Sequence, residues 1–177
     1  ALAMVLFLRS LGKKVRLIND GPCPSWLEFM PASRSCEAFD AKIRFTPDVL
    51  IVLDCGDLRR IGRVAKFIKP GVKVINIDHH ITNERFGALN LVDTASSSTS
   101  EMLYGLLKKA RCVLTRDMAA LLYLGILTDT GSFAFDSTTP RTHLATAELL
   151  RSGLSVSALY SKVYETLPGK DLKPFLA

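Results

Sequence analysis

Val74-Ile75-Asn76-Ile77-Asp78-His79-His80 is the stretch on which the reading of this chain turns. An apolar run closed by a carboxylate and two imidazoles reads as a buried strand that ends in a site. Burying three titratable side chains is costly unless something compensates. A divalent cation held by the carboxylate and imidazole groups is the usual compensation. The same pattern recurs twice. Asp54 closes Val49-Leu50-Ile51-Val52-Leu53, and Asp129 closes Leu121-Leu122-Tyr123-Leu124-Gly125-Ile126-Leu127-Thr128.

Working outward, helical and strand patterns alternate. Ala1 to Leu11 reads as a helix stopped by Gly12, and Lys14 to Asn19 as a strand closed by the turn signal Asp20-Gly21-Pro22. Cys23 to Pro47 is irregular, with a short helical turn over Ser25 to Met30. Asp48 to Leu53 reads as a strand covered on both faces, Leu58 to Ile68 as a helix, Lys73 to Ile77 as a strand and Leu89 to Val92 as a shorter one. Four more helices span Ser98 to Lys109, Thr115 to Leu127, Pro140 to Ser152 and Ser155 to Glu165. Ser98 with Glu101 has capping-box spacing. The alternation predicts an α/β fold, a mainly parallel sheet flanked by helices. Ligands of such sheets bind beyond the strands' carboxyl ends. Asp54 and Asp78 lie one β-α-β unit apart, so neighbouring parallel strands put both on one rim.

Composition narrows the class. The 177 residues, 48% hydrophobic and 23% charged, suit one soluble domain. No apolar run approaches the roughly 18 to 20 residues that span a bilayer. Cys23, Cys36, Cys55 and Cys112 have no framework spacing, so a reducing, cytoplasmic setting is expected. Cys55 reads as a small buried apolar residue. The net charge of +6 suits an anionic substrate such as a nucleotide or short oligonucleotide.

Hydrolysing a phosphate ester requires an acidified water and neutralised phosphoryl oxygens. Two cations about 3.5 to 4 Å apart supply both. Hard carboxylates with one imidazole suit Mn²⁺, with Mg²⁺ as the other option. Asp54, His79 and Asp129 fit as ligands, and His80 as a phosphate contact or general acid. Each has a plainer competitor. A lone Asp after a strand is commonly a turn or cap residue, as Asp57 is read here, before Leu58. Adjacent histidines occur in surface loops, Asp129 has helix capping or bonds to Thr130 and Ser132 as its alternative, and Ser96 to Ser100 suits a helix cap as well as a phosphate cradle. The coincidence of three element-ending acids with a His pair favours a metal-dependent phosphoesterase.

Ile77-Asp78-His79-His80, with Asn83, Phe86 and Gly87 beyond it, resembles the signature of the DHH phosphoesterases. Leu53-Asp54-Cys55-Gly56-Asp57 resembles their second motif, Gly125 to Phe133 their fourth, and Ser96 to Glu101 a segment of the RecJ-like branch containing nano-RNases and pAp phosphatases. By that resemblance Asp54 bridges two Mn²⁺ ions, His79 and Asp129 ligate one of them, Asp78 supports His79, and His80 faces the substrate phosphate. The family's first motif and its smaller C-terminal substrate domain have no counterpart here. The expectation is therefore a catalytic domain over residues 1–159, truncated at its start, with 160–177 a connector, binding metal weakly and hydrolysing little as it stands.

The implied substrates are nanoRNA, pAp or a cyclic dinucleotide. A manganese pyrophosphatase or exopolyphosphatase is the enzymatic alternative, and a catalytically silent nucleotide-binding module the non-enzymatic one. No membrane association is expected. A homodimer pairing through Leu89 to Val92, read as a sheet edge, is one option.

Overall fold

The computed structural model describes residues 1–165. Helix α1 (Leu2–Ser10) leads into strand β1 (Leu17–Asn19), and an irregular segment with single 3₁₀ turns at Ser25–Leu27 and Ser33–Ser35 leads into β2 (Cys36–Ala38). Strands β3 (Val49–Leu53), β4 (Lys73–Asp78) and β5 (Leu89–Val92) follow, then helices α2 (Thr99–Lys109), α3 (Arg116–Asp129), α4 (Pro140–Leu150) and α5 (Val156–Tyr160), the last continuing as a π-helical turn over Ser161–Glu165. No helix among the described residues is long and apolar enough to cross a membrane.

The α/β class and the parallel pairing match the sequence reading, but the strands form two sheets. β1 pairs with β2, and β3, β4 and β5 form a second parallel sheet with β4 in the centre. β2 was not legible in advance, since three residues of mixed polarity carry no period. β3 is a sheet edge, so it is only partly covered: Val52 is buried while Val49 is 43% exposed. The other edge is β5, which leaves Leu89 and Leu91 exposed.

Leu58–Phe67 departs from the predicted single helix. It is two 3₁₀ segments joined at Gly62, whose backbone (φ 56°, ψ −135°) lies outside helical space. A side chain there would also strike the Asp20 carboxylate, with Cγ 2.7 Å from an added Cβ. Asp20 in turn binds the Arg63 backbone and guanidinium, so the bend ties β1 to this segment.

The core lies under the three-stranded sheet. α2 and α3 pack together through Leu103, Leu107, Leu122 and Ile126, all 0 or 1% exposed, and Ile77 of β4 and Leu149 of α4 join the same cluster. Burying each such side chain contributes about 1.5–3 kcal/mol. This packing aims the amino end of α2 and the carboxyl end of α3 at the sheet's carboxyl rim.

Candidate metal centre

Leu53 and Ile77 are register partners, so Asp54 and Asp78 leave adjacent strands at one rim. Asp54 stands in the left-handed region, at φ 58°, while its N–H still donates to the Ile77 carbonyl at 3.0 Å. A non-glycine residue there costs of order 1 kcal/mol or more, and such strain collects where a side chain must be aimed. The Asp54 carboxylate accepts a 2.9 Å hydrogen bond from Thr99 Oγ1, at the first turn of α2.

His79 brings the separate stretches together. Its Nε2 lies 3.5 Å from Asp54 Oδ1 and 3.2 Å from Asp129 Oδ2. Its Nδ1 lies 3.3 Å from the Ser96 carbonyl oxygen. A carbonyl only accepts, so Nδ1 carries the hydrogen and Nε2 is the nitrogen turned to the carboxylates. Two acids thus approach one ring nitrogen from separate elements. Among the described residues, the group whose ligand atoms all lie within 4.8 Å of one another is Asp54, His79 and His80, a candidate metal-binding triad that does not include Asp129. The donor set, carboxylate oxygens and imidazole nitrogens without thiolate, matches Mn²⁺ or Mg²⁺ better than a soft ion.

Asp129 is the last residue of α3, and its neighbours do not compete for it. Thr130 donates to the Ile126 carbonyl and the Ser132 N–H to that of Leu127, in a tight turn where Gly131, Ser132 and Phe133 all have positive φ. Burial pushes the Asp129 carboxyl above the ordinary carboxylate range; the His79 ring pulls it back and the Asp54 charge pushes it up again.

Asp78 supports a different ring from the one the resemblance implied. Its carboxylate, 0% exposed, accepts from His80 Nδ1 at 2.7 Å, whereas His79 is held by Ser96. The physical reason is strand geometry: successive side chains alternate in direction, so residues two apart in an extended segment share a side. Burial acts to raise the Asp78 carboxyl, but the hydrogen bonds from His80 and Asn83 hold it below its usual range. Asn83 donates also to Asn76, itself fully buried and donating to the Cys55 carbonyl. Asn76 and Asn83 are residues the sequence reading did not assign a role; a polar Asn inside an apolar strand was the available signal.

The plainer readings hold where they were favoured. Asp57 caps Leu58–Phe67 by accepting from the Arg59 N–H, and Cys55 is buried. Ser96 to Thr99 are buried at the start of α2, with Ser98 as its cap, so they hold site residues in place. The capping box is half formed: Glu101 turns away to Ser97 and α4.

The chain is 35% identical over 164 residues to the bifunctional oligoribonuclease and PAP phosphatase NrnA of Thermus thermophilus, covering 92% of this chain and 48% of that protein. It is 38% identical over 121 residues to the Bacillus subtilis protein of the same name, covering 67% and 38%. An exopolyphosphatase-related protein from Bacteroides fragilis has a similar structure, with TM-score 0.86 and 30% identity, covering 97% of this chain and 53% of that one. A putative family II inorganic pyrophosphatase of Methanococcus jannaschii shares the fold at TM-score 0.66 and 20% identity, covering 97% and 57%. The chain thus spans about half or less of the length of the two NrnA proteins. Residues 1–126, which carry Asp54, Asp78, His79 and His80, match the model of the DHH family N-terminal domain, and the chain belongs to that family.

Proposed function

We propose that this chain is the catalytic part of a Mn²⁺-dependent phosphoesterase acting on short oligonucleotides or small nucleotides such as nanoRNA, pAp or a cyclic dinucleotide. The observation that carries it is His79 Nε2 facing two carboxylates, at 3.2 and 3.5 Å, from separate elements. The names of the Thermus thermophilus and Bacillus subtilis relatives support the substrate class. Asp54, His79 and Asp129 would hold a cation, with the second Asp54 carboxylate oxygen left to a further one, in keeping with the family resemblance. Bound divalent cations supply positive charge to the phosphoryl oxygens and acidify the attacking water. Asp78 fixes the His80 ring through Nδ1, so that Nε2 meets the substrate phosphate or moves a proton at the leaving oxygen. Pairing of two copies through the β5 edge belongs to the same reading.

The test is to assay the full-length protein with Mn²⁺ or Mg²⁺ against pApA, pAp, cyclic di-AMP and pyrophosphate. Turnover of one of the first three supports the proposal. Turnover of pyrophosphate alone replaces it with the pyrophosphatase reading, and nucleotide binding without any turnover with a silent module.

A further inference from the structure

Arg141 lies in the first turn of α4, where the helix dipole disfavours a cation. Glu101, 2% exposed, lies in the first turn of α2, where burial disfavours its charge. The two meet: Arg141 Nε is 2.7 Å from Glu101 Oε1. Local rules broken in pairs point to a tertiary purpose.

That purpose is visible in what the pair holds. Arg141 Nη2 donates to Ser96 Oγ at 2.6 Å and to Asp93 Oδ2 at 2.9 Å. Ser96 Oγ donates onward to Asp93 Oδ2 at 2.9 Å, and the Ser96 N–H to the Asp93 carbonyl at 3.1 Å. On the other flank, Glu101 Oε2 accepts from Ser97 Oγ at 2.6 Å and from Thr142 Oγ1 at 2.8 Å. The backbone at residues 96 and 97 is thereby gripped from both sides. The Ser96 carbonyl between these grips is the acceptor for His79 Nδ1.

We propose that Arg141 and Glu101 are positioning residues: they clamp the Ser96 carbonyl so that His79 keeps its hydrogen on Nδ1 and presents Nε2 to the cation. Groups that orient a ligating imidazole from behind typically change metal affinity about 10- to 100-fold when removed. The guanidinium sets Nε in ion-pair contact with Glu101 and Nη2 in hydrogen bonds to Ser96 and Asp93, two directions that lysine's single ammonium does not offer. The metal half of this proposal rests on the function proposed above, while the orientation of His79 does not.

The test uses the full-length protein without metal and with Mn²⁺. NMR reads the His79 Nδ1–H resonance and its protection from solvent exchange, assigned by its loss in His79→Ala, and electron paramagnetic resonance of free Mn²⁺ reads affinity. Arg141→Met leaves Glu101 buried and unpaired, so Arg141→Met/Glu101→Gln is made as well, to remove both charges and keep the fold. The protected resonance is expected in the parent and lost in both variants, with Mn²⁺ affinity falling about tenfold or more. Arg141→Lys is expected to keep the fold and recover only part of either signal. A folded double variant with the resonance and the affinity unchanged overturns the proposal, as does a parent without a protected Nδ1–H. Loss of the resonance in a protein whose parent binds no Mn²⁺ supports the clamp and refutes the metal centre.

Discussion

At the residue scale, burial and the neighbouring Asp54 charge both work against ionisation of Asp129, so losing its carboxylate is expected to spare the fold while removing a ligand of the proposed centre. His79→Ala and Asp129→Ala in the full-length protein are expected to lose Mn²⁺-dependent hydrolysis, by about 100-fold or more if the residue acts only in the loaded site, with unchanged circular dichroism. Parent rates in either variant would remove that residue from the mechanism. The acids also set opposite pH signatures in the metal-free protein. Burial raises the folded pKa of Asp129, so its contribution to stability is full below the unfolded value and lost as pH rises through the folded one. Asp78 is depressed, so its contribution is full above the unfolded value, about 3.9, and lost as pH falls through the folded one. Denaturant midpoints followed from neutral to acid pH should therefore show Asp129→Asn gaining on the parent at neutral pH. Asp78→Asn should lose most at neutral pH and converge with the parent in acid.

At the element scale, the site depends on how closely α2 and α3 approach. Gly125 of α3 faces Ser100 of α2, and an added Cβ would sit 2.0 Å from Ser100 Oγ and 2.9 Å from its Cβ. Gly125→Ala must push the helices apart, at a cost of about 1–3 kcal/mol. The two helices carry Thr99 and Asp129 to the centre, so weaker Mn²⁺ binding should accompany the lowered melting temperature. Ser100→Gly in the same chain should restore part of both; an unshifted melting temperature in Gly125→Ala would show that the helices adjust freely. The regular helices were legible because long amphipathic segments repeat their apolar faces and because Ser98 signals a cap; the caps at Thr115 and Thr139 are shown by the structure. Leu58–Phe67 misled because its apolar spacing suits helical turns of either kind, while the Gly62 bend answers to Asp20, more than forty positions earlier in the chain. The predicted helix Ser155 to Glu165 changes character at Ser161, and the connector read over 160–177 lies mostly outside the described residues.

At the scale of the whole molecule, the centre joins β3, β4 and the ends of α2 and α3, elements that no short stretch of sequence connects. A cation binding there stabilises only the folded chain. Mn²⁺ at about 100 times its dissociation constant should add about 2.7 kcal/mol to the parent's unfolding free energy. Calorimetry should show no such gain for His79→Ala. An equal gain in both proteins would place the cation elsewhere.

The sequence by itself determined the α/β class, the family and the identity of the converging side chains, because three element-ending acids and a His pair, each ordinary alone, form together a local chemical coincidence that a plain surface or core does not require. Folding alone decided which group stands behind each imidazole. Asp78 next to His79 in the chain lies behind His80 in space, and the Ser96 carbonyl behind His79. Hydrogen-bond partners follow side-chain direction and the meeting of distant segments, and neither is written in the spacing of the letters.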